Sequence, residues 1–578
     1  MMPTRSFNTT GTCYPDKHYM LPPLPRLPDV NDMIEGEFYF VLHSPRQSGK
    51  TTCLVELTEQ INSEGRFYAI NCSLASLRNT KDKSTAMSEF VNEIDDGLRY
   101  SSVDKLNNLA YSFGEESYMK APGSKVKNML NDICRSLDRE LVVFFDEADC
   151  LHEDPLITFL TQIRNGYLYR FNSPKTVFPR SMALVGMRDV RDYLHRVRPD
   201  AQSAGLASPF NVKKKSLSLA NFTKVEIESL YGQHTTDTGQ IFEKDAVERA
   251  WHWTEGQPWL VNALADNVIV DQFKNDYSRI VTANEIDLAV HDLLLRNETH
   301  FDSLAERLRE PRVRRVVELV IVGAESLPNG VSIDDAGYVV DLGLLQADTA
   351  RERYWPANPI YGEVIARVLT RDIQNKIPED FANKWMDGTG IDMNSLLKAF
   401  QEYWRMNSHA LKNKIKFTNH LKTSINEALK HFNPKNDNGS SNGNFDKRIN
   451  EISDGLADDI TKDLTNLANE AFVHLVLFAF LQRVLNGGAD IRRECAMQNK
   501  RCDIVVKYKG LSYPLEIKIK GNQTPKESYD QLYGYMDISG SPVGWLVVFD
   551  KDLEKSWDEK IFWKETDYRG KTIHEVAC

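Results

Sequence analysis

A chain of 578 residues is long enough for three or more domains, and 41% hydrophobic with 26% charged residues is the balance of an ordinary globular chain. No apolar run is long enough to span a bilayer, Met1-Met-Pro-Thr-Arg-Ser lacks the apolar stretch of a secretory signal, and the eight scattered cysteines form no CxxC pair or disulfide framework. Reduced thiols and a cytoplasmic location without membrane contact are expected, and a net charge of −11 argues against a surface coated for non-specific nucleic-acid binding, while leaving room for a local basic groove.

Residues 1–30 are Pro-rich (Leu21-Pro-Pro-Leu-Pro-Arg-Leu-Pro28) and are expected to run extended over the surface. The apolar run Phe38 to Leu42 predicts a buried strand. It gives way to Ser44-Pro45-Arg46-Gln47-Ser48-Gly49-Lys50-Thr51-Thr52 and then to a helix-forming stretch. Strand, tight loop and helix are the context of a phosphate-binding P-loop, in which loop N–H groups and the positive helix end cradle phosphates. Lys50 is placed to reach the β- and γ-phosphates of ATP, and the Thr51 hydroxyl to hold Mg2+. Ser44 stands where the motif has its first Gly, whose chief service is to ease the turn; Pro45 can fix that turn another way.

Arg66 to Ser73 reads as a second strand. Glu140-Leu-Val-Val-Phe-Phe-Asp146-Glu147 predicts a strand buried on both faces and tipped by two carboxylates. Asp146 is the expected Mg2+ ligand and Glu147 the base that activates water. Ser181 to Met187 predicts another buried strand, with Arg188 at its polar tip, either sensing the γ-phosphate or satisfied by Asp189 or Asp192. Lys213 to Leu219 closes the layer. Residues 223–294 read as helical, with Gly256-Gln257-Pro258-Trp259 opening one helix. A helix over Arg307–Val322, the stretch Ser332–Gly343 and a hairpin around Thr349–Tyr354 predict a winged-helix module. Asp334, Asp335 and Asp341 make it a poor reader of phosphates. Residues 391–432 form a charged amphipathic helical region, followed by the low-complexity loop 433–444.

A second set of chemical residues follows. Leu467 to Arg483 is a strongly apolar helix carrying Glu470 near its start. Arg501–Tyr508 and Leu511–Ile519 read as two strands joined by Lys509-Gly510. Asp503 starts the first strand, and Glu516 and Lys518 share one face of the second. Such a hairpin is either a solvated charged face or a metal-dependent nuclease site. Burial favours the latter, because unpaired charges in an apolar strand are costly. Asp503, Glu516 and the Ile517 carbonyl would hold Mg2+ (or Mn2+), Lys518 would orient or deprotonate water, and Glu470 could complete the site. Gln531 and Tyr535, one helical turn apart, either face this site and its substrate or pack the helix.

His43 to Thr52 together with Phe144-Phe-Asp-Glu-Ala-Asp149 resembles the bacterial AAA-like ATPases of the STAND branch. Gly186-Met-Arg188-Asp189 resembles that branch's sensor arginine, and Gly256-Gln-Pro258-Trp259 its lid motif, whose proline approaches the adenine. The C-terminal stretch resembles the PD-(D/E)XK nuclease superfamily through Ala479 to Gly488, Asp503, Glu516-x-Lys518 and Gly544 to Asp550. Lys500 stands where relatives often have Gly. The resemblance implies a multidomain α/β chain: extended segment 1–30, P-loop parallel-sheet ATPase core 31–220, helical lid 221–298 and winged-helix domain 299–372. A helical connector 373–455 and an α/β nuclease-like domain 456–578 complete it. The implied function is an ATP-driven switch controlling a nuclease on DNA (with RNA a further substrate class), in defence against foreign DNA, with no membrane partner and assembled as a homo-oligomer with a protein trigger. The competing expectation is a scaffold or DNA-remodelling motor whose nuclease-like domain only binds nucleic acid.

Overall fold

The computed structural model describes residues 5–110, 112, 122–170, 177–186, 213–295, 299–321, 332–348, 353–374, 384–386, 389–414, 473–485, 489–497, 500–520, 524–550 and 555–578. The chain divides into two compact units. The first comprises Met1–Glu298, Gly337–Leu345 and Ala357–Ile360, and the second Thr299–Ala336, Gln346–Pro356 and Tyr361–Cys578.

The first unit is built on five parallel strands: β1 (Tyr39–His43), β2 (Tyr68–Ser73), β3 (Leu141–Asp146), β4 (Ser181–Gly186) and β5 (Lys213–Ser218). Their order is β2-β3-β4-β1-β5. The two-residue period of a strand explains why these runs are apolar throughout: both faces are covered. Tyr39, Val41, Ile70, Val143, Phe145, Met182 and Leu184 join one core, with Phe90, Ile133 and Phe159 from helices Lys83–Arg99, Lys125–Ser136 and Glu153–Tyr169. Phe40, Leu42, Ala69, Val142, Phe144, Ala183 and Val185 join the other, with Cys53, Leu54, Leu57 and Ile61 from helix Lys50–Glu64. In this order β1 and β3, which lead into the loop Ser44–Thr52 and into Asp146 and Glu147, are separated by β4 alone.

Helices Lys224–Thr238, Lys244–Thr254, Pro258–Asp266 and Ala283–Leu295 follow. The first begins with a capping box between Thr223 and Glu226. The N-terminal segment corrects the expectation of a surface extension. Phe7 and Tyr19 are buried, packing with Tyr231, His234 and Phe242, and Arg5 pairs with Asp237 at 2.9 Å. Two large rings gain more from burial than an extended segment gains from hydration. Within the Pro-rich stretch, Leu24–Arg26 forms a 3-10 turn and Arg26 is buried.

The helix expected over Arg307–Val322 starts later, at Pro311, and runs to Ile321; Arg307 is the last residue of a separate helix, Thr299–Arg307, and Val322 lies outside the described residues. Pro311 has no N–H to continue a helix and suits a first turn, so the chain restarts there. Helix Ile333–Asp341 and the strand pair β6 (Leu345–Asp348) and β7 (Arg353–Pro356) come next in the chain. Part of the expected hairpin around Thr349 lies outside the described residues, as does the loop 433–444.

The second unit contains a six-stranded mixed sheet of β8 (Asp490–Met497), β9 (Lys500–Tyr508), β10 (Leu511–Ile519), β11 (Val543–Phe549), β12 (Trp563–Tyr568) and β13 (Lys571–Ala577), ordered β12-β13-β11-β10-β9-β8. β8, β9 and β10 form an antiparallel meander, and helix Pro525–Ile538 carries the chain to β11, parallel to β10. The apolar helix 473–484 is buried along most of its length, and Phe480 meets Phe400 of helix Met393–Lys414. No helix among the described residues is long and apolar enough to cross a membrane.

Gly256 marks the close approach of the helical region to the core. Its φ is +72°, and a Cβ there would lie 1.8 Å from the Phe222 carbonyl oxygen. Gly239 has a φ of +78° with open space around it. Thermal or urea unfolding is therefore expected to show Gly239→Ala costing about 1 kcal/mol, for backbone conformation alone. Gly256→Ala is expected to cost at least about 3 kcal/mol, because backbone must also move.

Candidate functional site

β1 delivers the chain into the loop Ser44–Gly49. Ser44 is buried; its N–H donates to the Gly186 carbonyl (3.2 Å) and its hydroxyl to that of Leu219 (3.4 Å), so the loop's first residue is tied to β4 and to the end of β5. The left-handed backbone lies elsewhere, at Gln47 (φ 57°) and Gly49 (φ 92°). Ser48 Oγ donates to the Pro45 carbonyl at 2.9 Å, closing the turn from inside. Arg46 and Gln47 are exposed at the loop's tip. Gly49 N-caps helix Lys50–Glu64, whose first N–H groups have no partners within the helix and face back toward the loop.

Lys50 Nζ donates to the Ser44 and Pro45 carbonyls, both at 2.7 Å. Burial pushes its pKa down to about 8, against the pull of Asp149 and Asp146. The next residue bridges the sheet: Thr51 Oγ1 donates to Asp146 Oδ2 at 2.8 Å, and the Glu147 N–H donates to Asp146 Oδ1 at 2.8 Å. Asp146 is buried at the tip of β3, and burial raises its pKa. A hydroxyl and a buried carboxylate in contact are hard oxygen donors of the kind Mg2+ takes beside a triphosphate, and a cation there would relieve the carboxylate's desolvation. The residues fit the group.

Glu147 follows in a left-handed conformation (φ 56°), and its Oε2 accepts from Arg78 (3.2 Å) and from the Cys150 thiol (3.4 Å). Thr52 Oγ1 accepts the Cys13 N–H at 3.2 Å. Pro258 is the buried first residue of its helix, and the preceding Gln257 works twice. Its Oε1 accepts the Leu260 N–H at 2.6 Å, and its Nε2 donates to the Gln47 carbonyl at 3.3 Å. The structure thus brings Ser44 through Thr52 together with Asp146, Glu147 and the residue before Pro258. Arg188 lies outside the described residues.

In the second unit, Lys509 (φ 47°) and Gly510 (φ 80°) make the tight two-residue turn joining β9 to β10. Asp503 Oδ2 accepts the Ile517 N–H at 2.7 Å across the pair. Glu516 has no exposed surface, and Lys518 Nζ lies 2.6 Å from its Oε1. Burial first, and the Asp503 charge second, raise the Glu516 pKa, while Lys518 opposes both. Asp503, Glu516, Ile517 and Lys518 therefore form one cluster, with two carboxylates close enough to repel and one ammonium beside them. Among the described residues no group of three or more His, Cys, Asp or Glu is placed to hold a metal ion. Glu470 lies outside the described residues. Gln531 Nε2 donates to Tyr535 Oη at 2.9 Å; Tyr535 is buried against Cys502 and Val505. Its pKa is raised by burial, and the charges of Glu516 and Asp503 add to that. Both alternatives for this pair hold in part: the tyrosine is a packing residue that also borders the carboxylates.

No protein-family model matches the chain, and no curated protein matches it. Among solved structures it is similar to a Walker-type ATPase of Pyrococcus abyssi, with 15% identity over 62% of this chain and 99% of that one and a TM-score of 0.43. It is also similar to the ORC2 protein of Aeropyrum pernix in complexes with ADPNP and ADP (14% identity, 60% and 91% covered, TM-score 0.36). A third is the RuvB Holliday junction branch migration motor of Thermotoga maritima (13% identity, 60% and 92% covered, TM-score 0.30). At such scores a likeness assigns no activity. The parallel five-stranded sheet, with its loop after β1 and carboxylates after β3, fits a P-loop ATPase core on its own geometry.

Arg78 and Gln257 were not singled out from sequence. Arg78 follows β2 in a short 3-10 turn with no motif to mark it. Gln257 stands inside the Gly-Gln-Pro-Trp stretch, where attention falls on the proline.

The depressed Lys50 pKa has a stability consequence. Below about pH 8 the lysine is protonated folded and unfolded, and its burial opposes folding in full. Between about 8 and the ordinary 10.5 the unfolded chain holds the extra proton, so stability rises with pH. Nucleotide-free Lys50→Met is expected to unfold at higher denaturant than wild type at pH 7, by roughly 1–3 kcal/mol, with the gap closing above about pH 10.

Proposed function

We propose that this chain is an ATP-binding and ATP-hydrolysing switch that controls a metal-dependent phosphodiester nuclease acting on DNA. The observation that carries the first half is the Thr51–Asp146 contact at 2.8 Å, set beside Lys50 and the start of helix Lys50–Glu64. Bound Mg2+ would neutralise phosphate charge. Thr51 and Asp146 would hold it. Lys50 would leave its two loop carbonyls for phosphate oxygens, and Glu147 would accept a proton from the attacking water. To do so Glu147 must be released from Arg78, whose present contact takes up its Oε2. Arg188 and Pro258 are proposed at the γ-phosphate and the adenine.

The second half is supported by Glu516, a carboxylate with no exposed surface, held beside Asp503 and Lys518. A solvated charged face would not bury a carboxylate. A divalent cation would offset both negative charges; Asp503, Glu516 and the Ile517 carbonyl are the proposed ligands, with Glu470 a further one. Lys518 would then steady the charge that builds on the phosphate. The chain order of helix, three-stranded meander, helix and parallel strand agrees with the PD-(D/E)XK resemblance. Residues 299–372 are proposed as the winged-helix module. That ATP state sets nuclease activity rests on both sites lying in one chain.

Plasmid and linear DNA incubated with Mg2+ or Mn2+, with and without ATP, test this. Cleavage is expected from wild type, lost at least about 100-fold in Asp503→Ala, and altered in its ATP dependence in Lys50→Ala. Glu147→Gln is expected to lower ATP turnover about 100-fold or more while retaining ATP binding. No cleavage of DNA or RNA by wild type, with DNA binding that survives Asp503→Ala, would leave a binding-only scaffold. Turnover stimulated by DNA without cleavage would indicate a motor.

A further inference from the structure

Against the loop Ser44–Gly49 lies a buried cation that pairs with no carboxylate among the described residues. Arg26, 7% exposed, ends the 3-10 turn of the Pro-rich stretch. Its Nη2 donates to the Ser48 carbonyl at 2.9 Å and its Nε to the Ala220 carbonyl at 2.7 Å, while the Ala220 N–H donates back to the Arg26 carbonyl at 3.4 Å. The guanidinium lies 4.7 Å from the centre of the Phe222 ring, and Nη1 is 3.5 Å from where a Cβ on Gly49 would sit. Its partners are carbonyls and a ring. Among the described residues it has no hydrogen bond to a carboxylate; Glu226 acts on it only at a distance. Burial pushes its pKa down to about 10, the direction expected of a desolvated cation without an anion.

Such a charge is costly to keep, and breaking or lacking a partner inside a protein is normally selected against on stability alone. Its location explains what it is for. The guanidinium lies against Ser48 and Gly49, two residues of the loop that would hold the phosphates of the proposed nucleotide. The Ser48 carbonyl that Arg26 holds belongs to the peptide unit whose other end is the Gly49 N–H, so the guanidinium fixes the tilt of that unit. The same side chain reaches Ala220 and Phe222, and Phe222 N–H donates to the Gly256 carbonyl at 2.8 Å, two residues before Pro258. One buried group therefore touches the phosphate loop and the segment from which the helical region departs.

We infer that Arg26 is a positioning residue of the phosphate site: it acts through the Ser48–Gly49 peptide, its charge is balanced by bound phosphate, and it links the loop to the Ala220–Phe222 segment. This inference rests on the ATP reading above. It differs from a structural role in one respect, since its effect must scale with phosphate charge and not with the nucleoside.

Calorimetric titration of the full chain with ATP, ADP and adenosine tests it, using wild type, Arg26→Lys, Arg26→Gln and Lys50→Ala. Arg26→Gln keeps a donor but loses the charge, and is expected to weaken ATP binding about 10-fold or more, with ADP affected less and adenosine within about 2-fold of wild type. Arg26→Lys keeps the charge but not the two donors that hold Ser48 and Ala220 together, and is expected to weaken ATP binding less than Arg26→Gln does, with adenosine again within about 2-fold of wild type. Equal ATP binding by Arg26→Gln and wild type would overturn the inference, as would an equal loss of ATP and adenosine. If Arg26→Gln does not fold, Arg26→Lys decides: an equal loss of ATP and adenosine, or no ATP loss at all, would overturn it. Wild type that binds no ATP would overturn the ATP reading itself, an outcome distinct from an Arg26→Gln protein that binds ATP normally.

Discussion

The hydrogen bond between Thr51 and Asp146 is the contact on which the first unit's organisation turns. It joins the helix that follows β1 to the tip of β3, across the intervening β4, and it can form only if three strands end at the same level. The parallel registers bring that about: His43 lies beside Gly186, and Phe145 beside Leu184. Ser44 reinforces it by donating to the Gly186 carbonyl. The apolar runs that fill both faces of the sheet hold these ends fixed, so that polar groups gather only where the strands stop.

The same constraint appears in the second unit in another form. Glu516 is buried because β10 is a central strand, flanked by β9 and β11 and covered by helix Pro525–Ile538. A carboxylate at that position cannot reach water, so its charge must be met from within, and Lys518 and the neighbouring Asp503 set opposing demands on it. In both units, an ionisable group is placed where desolvation raises the value of any counter-charge. That is an arrangement suited to binding a charged ligand, and poorly suited to stability for its own sake.

Much of this was legible in the residues. The five core strands were readable because parallel strands need apolar side chains on both faces, and the hairpin because Lys509-Gly510 supplies two left-handed residues in succession. Less legible were features set by tertiary contact. The Pro-rich N-terminus reads as extended surface chain, yet Phe7 and Tyr19 find an aromatic pocket made by residues more than two hundred positions later. Arg26 looked like one charged residue in a proline-rich run. The loop turns without the glycine that Ser44 replaces: Ser44 is tied to its neighbouring strands, and the left-handed backbone falls at Gln47 and Gly49, which no residue preference at Gln47 announces. Pro311 sets the start of the helix expected from Arg307; the apolar periodicity on either side concealed that boundary.

The central claim is that Thr51 and Asp146 together form a cation site that completes nucleotide binding. Its most direct test is the affinity for ATP measured with Mg2+ and with EDTA, in wild type and in Thr51→Ala and Asp146→Asn. Wild type is expected to bind ATP at least about 10-fold more tightly with Mg2+, and both variants to lose that difference while retaining the metal-free affinity. An Mg2+ effect of the same size in all three proteins would contradict the account.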